Sequence, residues 1–186
     1  TIGGVGLIKD YKKMITMDFK EINNLVLIIG KTEGHIDQSL FSRTILDEKN
    51  GPPPEVNLFN EKNNGESLLK LIEKDYVKSA HDVSLGGIIT AIAKMCIKGN
   101  KGIELNKIKF LKSEIEYLFS EDQGRYIIEI SASDLNSVIK ILEKNSVHYD
   151  ELGKIIENHI IINKKTKVTI DELKSYNTNW LIKYMS

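Results

Sequence analysis

The stretch VKSAHDVSLGGIITAIAKMCIKG, Val77 to Gly99, decides how this chain is read. It passes from a strand pattern through a polar turn with paired glycines into an amphipathic helix. In that helix Ile88, Ile92, Met95 and Cys96 recur on one face, and Gly99 stops it. Two readings of the turn stay open. In one, Asp82 or Ser84 caps the helix, and Gly86 and Gly87 only make the turn. In the other, the glycines let a ligand phosphate approach the unpaired N–H groups of the helix start. Spacing alone favours the cap, and the pattern is not a P-loop, which needs a Lys after its glycines. His81 and Asp82 leave a strand on opposite faces, so no hydrogen-bonded pair is expected of them.

Outward from this stretch, strands and helices alternate without long linkers. Leu25–Ile29 is a continuous apolar run that predicts a buried strand ended by Gly30. Leu40, Phe41, Ile45 and Leu46 predict a short helix that runs to Gly51. The three prolines of GPPPEVNL, Gly51 to Leu58, hold an extended segment, and Asn57 is placed to cap the helix that follows. That helix carries Leu58, Leu68, Leu69 and Ile72, with Gly65 weakening its middle. GIEL is a short strand, and Tyr126–Ile130 is a strong one. Leu135, Val138, Ile139 and Leu142 form the inward face of a further helix, capped by Ser133. Two or three strands and a last helix, anchored by Trp180, Leu181 and Tyr184, complete the chain. The fold class expected is α+β, one mixed β-sheet covered by helices.

Among 186 residues, 41% are hydrophobic and 28% charged, enough apolar surface for a real core. Lys plus Arg number 26 and Asp plus Glu number 26, and this balance argues against a nucleic-acid partner. The basic NKKTK, Asn163 to Lys167, reads as a hairpin tip. The single cysteine, Cys96, sits within the apolar helix pattern, excludes an intrachain disulfide and fits a reducing cytoplasm. No apolar run has the length of a membrane span. The opening TIGGVGLIKD reads as a strand already under way, so a piece of a longer protein is expected.

A second suspicious loop is FSEDQGRY, Phe119 to Tyr126. Glu121 and Asp122 offer hard oxygens to Mg²⁺, Gln123 offers an amide to an amide or a ribose hydroxyl, and Arg125 offers a guanidinium to phosphate. An exposed polar loop is the competing reading. TEGHIDQS, Thr32 to Ser39, holds acids and hydroxyls in no recognisable motif. His35, His148 and His159 lack metal-ligand spacing to any other His or Cys. No complete catalytic set and no metal set emerges from the residues alone.

Four segments in order carry a resemblance: TIGGVGLIKD, GPPPEVNL, VKSAHDVSLGG and LFSEDQGRYIIEI. In these the chain resembles the C-terminal domain of the phosphoribosylformylglycinamidine synthase family, within the aminoimidazole ribonucleotide synthase superfamily. The resemblance implies a parent that uses ATP and Mg²⁺ to amidate formylglycinamide ribonucleotide with glutamine-derived ammonia, in the cytoplasm. It implies residues 1–10 as a remnant strand of the preceding ATP-binding-type domain, and residues 11–186 as a single C-terminal domain, inactive alone. Partners implied are that preceding domain and a glutaminase subunit or domain, with a nucleotide as a possible ligand. Residues implied at the cleft are His81, Asp82, Ser84, Gly86, Gly87, Glu121, Asp122, Gln123 and Arg125, none of them catalytic. Leu85 stands where the family usually has Asp, and Asp122 where it usually has Ser. Both departures favour a supporting role, since a carboxylate at 122 repels phosphate. The alternatives are a stand-alone nucleotide-binding or oligomerisation module, or a related ATP-dependent enzyme of the superfamily.

Overall fold

A computed structural model describes residues 3–8, 10–106 and 113–186. Its strands are β1 (Leu25–Ile29), β2 (Val77–Asp82), β3 (Gly102–Leu105), β4 (Tyr126–Ile130), β5 (Tyr149–Ile156), β6 (His159–Ile162) and β7 (Thr166–Thr169). Its helices are α1 (Leu40–Thr44), α2 (Leu58–Glu73), α3 (Gly87–Gly99), α4 (Glu114–Phe119), α5 (Leu135–Lys144) and α6 (Ile170–Met185). The strands form one sheet in the order β2–β4–β1–β5–β3–β6–β7. The β3–β6 pair is parallel and the other pairs are antiparallel, which makes the sheet mixed.

The sheet carries helices on both faces because its central strands are apolar on both. Val26, Leu27, Ile28 and Ile29 of β1 are fully buried. Alternation sends Val26 and Ile28 into a core with Ile88, Ile92 and Met95 of α3 and Leu118 of α4. It sends Leu27 and Ile29 into a second core with Leu71 of α2 and Val138 and Leu142 of α5. Cys96 is buried in the first core, and burial pushes its thiol pKa up, as for an inert packing residue.

One charged side chain is enclosed in the sheet. Glu129 of β4 is fully buried, and its carboxylate accepts from the N–H groups of Lys20 (2.8 Å) and Glu21 (3.0 Å). It also accepts from Asn24 Nδ2 (2.8 Å) and from the Ser79 hydroxyl (2.8 Å). These bonds tie the segment before β1 to the edge strand β2.

Several expectations are corrected. Gly3–Ile8 form no strand and are exposed, since no described strand lies beside them to share hydrogen bonds; residues 1, 2 and 9 of that segment lie outside the described residues. Helix α1 stops at Thr44 rather than Gly51, because the chain turns through Asp47 (φ 55°) and Ser42 and Glu48 bond each other across the turn. Gly65 leaves α2 unbroken. Asn57 does cap α2, accepting from the Asn60 N–H at 3.0 Å. Ser133 caps nothing: a 3-10 turn over Ala132–Asp134 leads into α5. In α6 the anchors are Ile170, fully buried, and Leu173, while Trp180, Leu181 and Tyr184 are exposed. Among the described side chains of that helix, those that reach the core lie in its first turns.

Candidate functional site

The two loops singled out in the sequence meet in space. Strands β2 and β4 pair antiparallel, with His81 opposite Ile127 and Asp82 opposite Tyr126. The Val83 N–H extends the pairing by donating to the Arg125 carbonyl (2.9 Å). The turn after β2 therefore lies beside the loop before β4.

Neither Asp82 nor Ser84 caps α3. Its N-cap is Gly86, with no side-chain cap, and the Gly86 N–H donates to Glu121 Oε1 (2.8 Å). The same oxygen accepts from the Leu40 N–H at the start of α1 (2.7 Å). Glu121 thus joins two helix starts. Gly87 has φ +70°, and a Cβ there would lie 2.6 Å from the Ser120 carbonyl and 2.7 Å from that of Leu118. Close approach to the end of α4 accounts for the glycine. His81 Nδ1 and Asp82 Oδ1 stand 2.9 Å apart, against expectation. Asp82 is the last residue of an edge strand, where the open edge lets its exposed carboxylate reach around to the ring.

Asp122 is 7% exposed, although it sits in a polar loop. Oδ2 accepts from the N–H groups of Glu33 (3.0 Å) and Gly34 (3.1 Å), and Oδ1 from that of His35 (3.2 Å). The Glu121 N–H donates to the His35 carbonyl (3.0 Å), closing the clasp between the two loops. Arg125 is 1% exposed. Its guanidinium donates to Thr32 Oγ1 (3.0 Å) and to the carbonyls of Ser120 (2.8 Å) and Asp122 (3.1 Å), and lies 3.6 Å from Asp122 Oδ2. Burial lowers the Arg125 pKa, and the Asp122 carboxylate opposes that shift. A guanidinium so enclosed has its donors committed within the protein, and the loop that carries it is not the exposed polar loop of the competing reading.

A cavity of about 650 Å³ opens beside this clasp. Of the residues singled out in the sequence, Asp122 and Gln123 line it, and Gln123 is exposed. His81, Asp82, Ser84, Gly86, Gly87, Glu121 and Arg125 do not. Most of the remaining lining was not singled out as a site in the sequence: Lys31 and residues 33–37, and a stripe of Asn57, Asn60, Glu61 and Asn64 from the N-cap along α2. Polar residues at this helical spacing, just after a capping Asn, were the signal available. Five carboxylates besides Asp122 line the cavity, on Glu33, Asp37, Glu55, Glu61 and Glu116, and Lys31 is bonded to Glu33 (2.6 Å). Among the described residues no group of three or more His, Cys, Asp or Glu is arranged to hold a metal. Glu121 and Asp122 are committed to backbone N–H groups, so these residues do not fit Mg²⁺, and an acidic lining does not fit a polyphosphate.

Residues 21–164 match the family described as AIR synthase related protein, C-terminal domain. The chain belongs to this family. Within it, the chain is 68% identical over 184 residues to phosphoribosylformylglycinamidine synthase subunit PurL of Pelagibacter ubique, covering 99% of this chain and 25% of that protein. The same fold occurs in T. maritima PurL complexed with FGAR (TM-score 0.73, 21% identity, 87% of this chain and 29% of that one). It occurs also in T. maritima PurL complexed with ATP (TM-score 0.67, 20% identity, 87% and 27%). This AIR synthase related domain spans about a quarter of the length of the curated relatives it matches. No helix among the described residues is long and apolar enough to cross a membrane.

Proposed function

We propose that this chain is part of the synthase subunit of phosphoribosylformylglycinamidine synthase, a cytoplasmic ATP-dependent ligase that amidates formylglycinamide ribonucleotide in purine biosynthesis. The observation that carries the reading is 68% identity over nearly the whole chain to a quarter of one PurL protein. This portion does no chemistry by itself. It forms one wall of a cleft with a preceding ATP-binding-type domain, and residues 1–10 belong to that side of the parent. ATP, when bound, supplies the phosphoryl group that activates the amide oxygen. ATP and Mg²⁺ are held elsewhere in the parent: the acidic cavity does not suit a polyphosphate, and Glu121 and Asp122, committed to backbone N–H groups, are not free for a metal. Ammonia reaches the parent from a glutaminase partner. Gln123, exposed and lining the cavity, is the residue of this chain best placed to touch a ligand.

A chimera tests the reading: this chain replaces its counterpart in the Pelagibacter protein, and turnover is measured with formylglycinamide ribonucleotide, ATP, Mg²⁺ and ammonium. Activity within about tenfold of the unmodified protein, a barrier change of ~1.4 kcal/mol, is expected. A folded chimera without turnover would sink the proposal.

A further inference from the structure

We propose that Asp122 is a resident anion that bars phosphate from the backbone N–H pocket on the wall of this cavity. Three successive N–H groups, of Glu33, Gly34 and His35, converge on one carboxylate at 3.0, 3.1 and 3.2 Å. Such convergence needs a left-handed residue in the run, and Gly34 supplies it with φ 82°. A concave set of N–H groups of this kind is the donor set that binds phosphate oxygens elsewhere. Here the acceptor belongs to the chain. Glu33, Gly34, His35 and Asp122 all line the same cavity, so the pocket faces ligand space and is filled from within. The Arg125 guanidinium, 3.6 Å behind the carboxylate, supplies the positive charge that a bound phosphate would otherwise seek. A phosphate entering beside Asp122 would meet a second negative charge at contact distance, with no uncommitted donor left in the run. Residue 122 therefore sets whether the three N–H groups are open to a single phosphate group: closed with the carboxylate in place, open once it is removed, while the other carboxylates keep the rest of the cavity unsuited to a polyphosphate.

The test uses the 186-residue chain and Asp122→Ser, with inorganic phosphate as the probe and chloride at matched ionic strength as the control. Backbone amide resonances of Glu33, Gly34 and His35 are followed through the titration. In the wild-type chain they are expected to stay in place, and movement there would overturn the proposal. In D122S the same three are expected to move together, with phosphate bound at least ~10-fold more tightly than by wild type and melting raised by ~2 °C or more. A folded D122S indifferent to phosphate would also overturn it. Should D122S melt below room temperature, the wild-type titration stands by itself as the deciding measurement.

Discussion

Two carboxylates in this molecule do the same chemistry in different places. Glu129 gathers the N–H groups of Lys20 and Glu21, with Asn24 and Ser79, inside the sheet where nothing else can reach them. Asp122 gathers three N–H groups at a cavity wall, with a guanidinium behind it. Both convert a loop that cannot bond to itself into a fixed wall. The difference is access: in the first region losing the carboxylate strands its donors in a dry interior, while in the second water or an ion can replace it. Buried position makes one clasp purely structural, and an exposed neighbour space makes the other a determinant of what binds.

The largest expected effect follows from that contrast. Glu129→Ala should cost ~3–5 kcal/mol in urea unfolding, because its donors lose their acceptor away from water. D122S should cost about half as much, and equal losses would remove the distinction between the regions. Next is Gly87→Ala, which places a methyl against the Ser120 and Leu118 carbonyls and forces an alanine to φ +70°. A loss of ~2–3 kcal/mol is expected, with the amide resonances of 120–122 displaced as the Asp122 loop shifts. Unmoved resonances would mean that the two loops are mechanically independent.

The smallest effect is a pH dependence beside the Glu129 clasp. The Asp18 carboxylate is lowered from 3.8 to about 2, first by its hydrogen bond with Lys20 and then by that with Thr16. A lowered folded-state pKa means that this contribution is complete above about 3.8 and is lost as pH falls toward 2. The groups are a third exposed, so the slope is shallow. Asp18→Asn should flatten the stability profile across that window in acid unfolding followed by circular dichroism. An unchanged slope would assign acid sensitivity elsewhere.

Much of the frame was legible from residue order. The apolar run Leu25–Ile29 became the doubly covered strand β1, Asn57 capped α2, and Ile88, Ile92, Met95 and Cys96 formed the buried face of α3. These succeed because a strand's alternation, a helix's period and a cap each involve residues a few positions apart. Trp180 and Tyr184 were misread for a related reason: an apolar stripe reports a helix face, and says nothing of whether the chain itself supplies the surface it packs on.

The polar loops divide in the same way. Sequence by itself determined that Ala80–Gly87 and Phe119–Tyr126 were unusual, and their order with GPPP placed the chain in its family. Tertiary structure alone decided that Glu121 rather than Asp82 or Ser84 meets the start of α3, that Arg125 is walled in, and that Asp122 fills a pocket built by Glu33, Gly34 and His35. The Glu121 and Asp122 carboxylates lie 35 residues from Gly86 and 87 to 89 residues from His35, Gly34 and Glu33 in the chain. A hydrogen bond requires about 3 Å and an aligned N–H, and only the packed sheet fixes both at such separations.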